Sequence, residues 1–227
     1  MEAKDPSPQS TLAILLGASE WPKFPDFPSS RAFANSASEL KNYLLDDSQF
    51  GLPSENLLDL FDTNQSANDI DEQIAEFLER RLAEMKASGD DPSDLLVYFV
   101  GHGGLAAAGF DYFLAIRRTR ADNPGGSGIR IVSLAYTIKE KARHLRRIII
   151  LDCCFAGAAL RAFMGAPAQA AIQQTVAAFE TPRKGQGFPS RGTTLLCSSG
   201  STIPSVISRR GDYTMFTHAL FEPAPIW

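Results

Sequence analysis

The chain has 227 residues, a formal net charge of −4 and a 44% hydrophobic content. That size and apolar share suit one large α/β domain better than two small ones, and the acidic balance leaves no broad basic field for nucleic acid. No window reaches the ~18 uncharged apolar residues of a membrane span, and the opening MEAKDPSPQS, acidic and proline-bearing, is not a secretory signal.

The first ten residues read as a flexible N-terminus, and residues 11–227 as one domain. TLAILLGAS (11–19) reads as a short buried strand ending in small residues. EWPKFPDFPSS (20–30) carries three prolines and is a loop, whose Trp21, Phe24 and Phe27 pack onto the core or frame a cleft. AFANSASELKNYLLD (32–46) has helical apolar spacing, and ENLLDLFD (55–62) is a second strand. Residues 67–88 form the clearest helix: Ile70, Ile74, Phe77, Leu78 and Leu82 share a face, and acidic residues fill the first turns. Gly89 and Pro92 end it.

DLLVYFVGHGG (94–104) is a third strand, too apolar to be half exposed. FDYFLAI (110–116) is a short extended piece, and RTRADNPGGSGIR (118–130) a long glycine-rich loop. VSLAYTIKEKARHL (132–145) is a helix and RRIIILDCC (146–154) the fourth main strand. Residues 157–180 are alanine-rich and partly helical with a break at Pro167, and 181–192 is a basic loop. TTLLCSSG (193–200) is a fifth strand, and YTMFTHALFE (213–222) starts a last helix. Apolar strands alternating with helices predict a mainly parallel sheet covered by helices on both faces, a three-layer α/β/α fold. The chain stops soon after that helix begins, which points to a boundary within a longer protein.

Ligand sites in such sheets gather at the carboxyl ends of the strands. Two polar clusters lie there: VGHGG, with His102 between glycines, and LDCCFAG. Three cysteines, two of them adjacent, are not a disulfide framework, and adjacent cysteines close too small a ring for an ordinary bridge. A reducing cytoplasm is the expected compartment. No CxxC occurs and the histidines are scattered, so no metal site is expected; no cofactor is expected either, and no loop has the dense Asp/Asn spacing that would support calcium. Along a strand side chains alternate. Asp152 and Cys154 then point one way and Cys153 the other, which makes Cys153 a small core residue and Cys154 the exposed nucleophile, with His102 as its base.

A strand ending in GHGG followed by a strand ending in DCCFAG resembles the caspase–metacaspase family of cysteine peptidases. The histidine-to-cysteine interval, 154 − 102 = 52, is close to the ~50 residues of caspases. Asp152, Cys154 and Gly157 fit the Asp-x-Cys-x-x-Gly frame of the metacaspase branch, and GTTLLCSSG and GDYTMFTHAL resemble the family's next strand and helix. The resemblance covers roughly residues 11 to 222, and the style is closest to bacterial caspase-like proteins acting in defence and regulated cell death.

The resemblance implies a cysteine endopeptidase in which Cys154 attacks the scissile carbonyl, His102 handles the proton, and the backbone N–H groups of Gly103 and Cys154 bind the oxyanion. It implies that Asp152 builds an acidic pocket for a P1 arginine or lysine, with Ser198 and Ser199 lining that pocket. A carboxylate there favours a bidentate arginine. One departure weakens the pocket: metacaspases often place a second aspartate where this chain has Ser36, after Asn35. Arg183, Lys184 and Arg191 fall where family members often carry a self-cleavage loop. The expected partner is a protein or peptide substrate, with no nucleic acid or membrane, a monomeric state, and room for a regulatory domain or partner protein. The competing readings are a catalytically silent module keeping the fold, which intact His102 and Cys154 argue against, and a related protease with a different P1 preference or target.

Overall fold

Strand β1 (Thr11–Gly17) is buried at every position, because helices cover both of its faces. This is a computed structural model, and it describes residues 5–106, 112–154, 192–199 and 212–221. With β1 run β2 (Leu57–Phe61), β3 (Asp94–Val100), a strand at Arg146–Asp152 and one at Gly192–Cys197. Numbered in chain order after three short strands, β4 (Gly103–Leu105), β5 (Tyr112–Leu114) and β6 (Ile129–Arg130), the last two are β7 and β8. The main sheet has the order β2–β1–β3–β7–β8, and every pairing in it is parallel.

The helices are α1 (Arg31–Leu45), α2 (Ala67–Ser88), the single turn α3 (Pro124–Ser127), α4 (Ile131–Lys141) and α5 (Met215–Phe221). Alternation along the strands sorts two cores. Leu12, Ile14, Leu16, Val97, Phe99, Ile149 and Leu151 face one side, where α2, α4 and β5 pack. Ala13, Leu15, Tyr98, Val100 and Ile150 face the other, against α1 (Phe33, Ala37, Leu40) and the α5 residues Phe216 and Phe221. The fold is the three-layer α/β/α arrangement that the sequence pattern predicts.

Local chemistry sets the helix ends. The Ser30 hydroxyl accepts from the Ala32 N–H at 3.2 Å and starts α1. Ser66 and Asp69 form a reciprocal capping box at the start of α2, and Gly89, at φ 84°, ends it in the left-handed conformation.

The predicted loop at 118–130 holds α3 and β6. The reason lies in β5, whose three residues are all buried. Its backbone groups need partners, and β4 and β6 supply them in a small antiparallel sheet. The predicted helix over 132–145 starts at Ile131 and ends at Lys141, before the turn that feeds β7. The alanine-rich stretch 157–180, Pro167 and the basic residues Arg183, Lys184 and Arg191 lie outside the described residues. No helix among the described residues is long and apolar enough to cross a membrane.

Candidate active site

Parallel pairing of β3 with β7 places Val100 opposite Asp152. His102 and Cys154 therefore stand two residues beyond the ends of neighbouring strands, which run ~5 Å apart in any sheet. The junction is closed by the Gly101 N–H, which donates to the Asp152 carbonyl at 3.2 Å. Gly101 has φ +150°, and a Cβ there would press on the Ala18 carbonyl and the Trp21 ring. Gly103 is tighter: a Cβ would lie 2.1 Å from the Tyr112 hydroxyl oxygen and 2.8 Å from the Cys154 carbonyl oxygen. The two glycines flanking His102 thus let the β3 end approach both the aromatic loop and the Cys154 turn.

His102 is half-buried in aromatic rings. Phe27 stacks on it at 4.7 Å between centroids, Trp21 lies tilted at 4.4 Å, and Phe33 presents an edge at 5.1 Å. Its Nε2 lies 2.9 Å from the Pro28 carbonyl oxygen. A carbonyl only accepts, so Nε2 carries the hydrogen and Nδ1 is left as the basic nitrogen. Burial lowers the imidazole pKa, and the Pro28 hydrogen bond opposes this more weakly. The ring is therefore neutral and basic at neutral pH. The loop at 20–30 packs onto the core through buried Trp21, and in doing so it also orients the histidine.

β7 ends at Asp152, so Cys153 and Cys154 lie in the turn beyond it. Cys153 is buried in the α2/α4-side core, as strand alternation predicts. Burial pushes its thiol well above the ordinary range and pushes the Cys197 thiol up to about 11. Cys154 is half-buried, as is Cys197, whereas Cys153 is buried. No hydrogen bond among the described residues joins the His102 ring to the Cys154 thiol, a looseness common before substrate binds.

Asp152 is buried on the other face of the sheet, toward α1 and α5. Its Oδ2 accepts from the hydroxyls of Tyr98 at 3.2 Å, Thr217 at 3.1 Å and Thr214. Thr214 is itself tied to buried Ser36, whose Oγ accepts from the Thr214 N–H at 3.1 Å. Buried Ser36 thus braces the cage as a neutral hydrogen-bonding partner. Among the described residues Oδ1 is buried without a hydrogen-bond partner. Burial raises the Asp152 pKa, and the hydroxyls of Thr214, Thr217 and Tyr98 counter it. With Oδ2 occupied three times, the carboxylate is left with one unpartnered oxygen among the described residues, and that oxygen is buried too. The carboxylate does not present the two-oxygen face expected for a bidentate arginine.

The Ser198 and Ser199 hydroxyls reach the Cys153 carbonyl, at 3.2 and 2.9 Å. The expected residues thus gather at one end of the sheet: His102, Gly103, Asp152, Cys154, Ser198 and Ser199. Sequence reasoning missed Pro28, Phe33, Tyr98, Tyr112, Thr214 and Thr217. Tyr98 was accessible to it, since alternation and register put Tyr98 on the Asp152 face; a contact made by a loop carbonyl leaves no trace in residue type. His144 and His218 lie elsewhere, on the α4–β7 turn and on α5. Among the described residues no group of three His, Cys, Asp or Glu side chains could hold a metal ion.

No protein-family model matches the chain, and no curated protein matches it. Among solved structures, the crystal structure of protein GSU0716 from Geobacter sulfurreducens is similar, with a TM-score of 0.53 at 13% identity over 93% of this chain and 80% of that one. At that identity the likeness speaks to the fold alone.

Proposed function

We propose that the chain is a cysteine endopeptidase of the caspase–metacaspase kind with a basic P1 preference. The observation that carries the reading is the pairing of β3 with β7, which sets a carbonyl-anchored, neutral His102 beside the Cys154 turn. In this reaction the Cys154 thiol gives its proton to Nδ1 of His102, and the thiolate forms a C–S bond to the scissile carbonyl carbon. The carbonyl π pair moves onto oxygen, where the N–H groups of Gly103 and Cys154 receive it. Collapse re-forms the carbonyl and breaks the C–N bond, and the leaving amine takes the proton from His102. Water, deprotonated by His102, then hydrolyses the thioester and restores the thiol.

The P1 preference rests on Asp152. A buried carboxylate with one unpartnered oxygen suits a single cationic contact, so lysine and arginine are both accepted and arginine gains no bidentate advantage. A reducing cytoplasm, where the thiol persists, is the compartment this chemistry favours. The unjoined His102 and Cys154 side chains favour a second reading, a silent module keeping the fold.

Fluorogenic peptides with Lys, Arg or Asp at P1 test both. Wild type is expected to cleave after Lys and Arg; Cys154→Ala abolishes this, and Cys197→Ala retains it. Cleavage after Asp would keep the peptidase and sink the role of Asp152. If wild type is inert, iodoacetamide decides: the silent module requires that Cys154 react no faster than its exposure dictates.

A further inference from the structure

The turn that carries Cys154 is held at both of its peptide planes. On the upstream side, the Ser198 and Ser199 hydroxyls donate to the Cys153 carbonyl at 3.2 and 2.9 Å. On the downstream side, the Tyr112 hydroxyl donates to the Cys154 carbonyl at 2.7 Å. That hydroxyl also lies 3.1 Å from the Cys153 sulfur. Its single hydrogen is committed to the carbonyl, so the Cys153 S–H must donate to the tyrosine oxygen. The result is a directed chain, Cys153 thiol to Tyr112 hydroxyl to Cys154 carbonyl, inside the core.

The Cys153 carbonyl and the Cys154 N–H belong to one peptide plane. The described peptide bonds are all trans, and in a trans peptide these two groups point in opposite directions. Sheet order places β8, with its serines, on one side of β7 and β3 on the other. Anchoring the carbonyl toward Ser198 and Ser199 therefore turns the Cys154 N–H toward the β3 end, where Gly103 lies against the Cys154 backbone. Two donors onto the carbonyl also polarise the plane and strengthen its N–H as a donor.

From this we infer that Ser198 and Ser199 are positioning residues of the oxyanion site: they aim the Cys154 N–H, and Tyr112 with Cys153 locks the following plane. This assigns the serines a role other than lining the P1 pocket, and it gives the second cysteine a task beyond filling the core. The inference rests on the peptidase reading.

The test uses Ser198→Ala/Ser199→Ala, with Tyr112→Phe as a second variant and Ser199→Thr as the conservative one. Removing an oxyanion donor costs about 100- to 1,000-fold in rate; misaiming one is expected to lower kcat about tenfold with KM within about twofold. A peptide aldehyde with Lys at P1 forms a tetrahedral adduct whose oxygen occupies the same site, so its Ki should weaken by the same factor. Alkylation of Cys154 by iodoacetamide develops no oxyanion and should keep its rate. Ser199→Thr, which retains the hydroxyl, should stay near wild type. A raised KM with unchanged kcat would return the serines to the pocket, and alkylation slowed in step with cleavage would mean a disturbed thiol; either overturns the inference. An active wild type with an unaffected double variant removes the inference alone. A wild type that neither cleaves peptides nor binds the aldehyde removes the peptidase reading and the inference together.

Discussion

Burial of His102 against Trp21, Phe27 and Phe33 has a sign that can be measured. The folded pKa lies below the ordinary value of 6.5, so in the window between the two the unfolded chain binds a proton that the native state declines. Stability therefore falls as pH drops through that window. Asp152 acts oppositely: its folded pKa lies above 3.8, so its share of stability falls as pH rises from there. Comparing wild type with His102→Gln cancels the Asp152 share. Urea unfolding from pH 8 to 5 should show wild type losing stability below about 6.5 more steeply than the variant. Parallel curves would mean that the native imidazole is as well solvated as the unfolded one. Much of this chemistry was legible at the residue scale, because a glycine-flanked histidine and an Asp-x-Cys turn are unusual pieces. The hydroxyl cage of Asp152 was not, because Tyr98, Thr214 and Ser36 come from three separate elements.

At the scale of elements, helix boundaries were the most readable feature. The Ser66–Asp69 capping box is written in the sequence and formed in the structure. Ser66→Ala should destabilise the protein by about 1 kcal/mol, read as a lower urea midpoint at unchanged slope, while the peptide cleavage we propose should stay as in wild type because the cap is not among the candidate site residues. A loss of cleavage larger than the loss of stability would tie α2 to the site. The glycine-rich stretch 118–130 read as loop for a physical reason: Pro124 and the glycines are turn residues, and only the unpaired edges of β5 make Ile129–Arg130 a strand. The proline-rich loop at 20–30 is similar. Its prolines mark a loop, but that one of them lends its carbonyl to His102 follows from packing.

At the scale of the whole molecule, the end of the sheet opposite the site is locked by a buried ion pair. Asp94 and Arg146 lie opposite each other at the first positions of β3 and β7, and their side chains bond directly. Ser93 adds a hydroxyl to the second Asp94 oxygen at 2.7 Å. Both charged side chains are below 8% exposed, so removing one strands the other in the interior. Asp94→Ala should cost about 3–5 kcal/mol, visible as an early thermal transition. A cost below about 1 kcal/mol, the range of a surface pair, would show that water reaches Arg146. The same pair helps hold the β3–β7 register on which the site depends, so a slipped register would separate His102 from Cys154 along with the pair.

By itself, the sequence determined the class of fold and the end of the sheet at which the candidate site residues gather. Continuous apolar runs alternating with amphipathic helices admit few solutions other than a covered parallel sheet, and polar residues at strand ends fall at its carboxyl edge. Strand alternation also sorted Cys153 into the core. Only the tertiary structure decided how that edge is wired: the Pro28 carbonyl on His102, three hydroxyls on one oxygen of Asp152, and two serines on the Cys153 carbonyl. These contacts join segments as far apart as residues 28 and 102, and backbone carbonyls make many of them. Local periodicity constrains which face a side chain takes; it holds no information about which distant backbone group will meet it there.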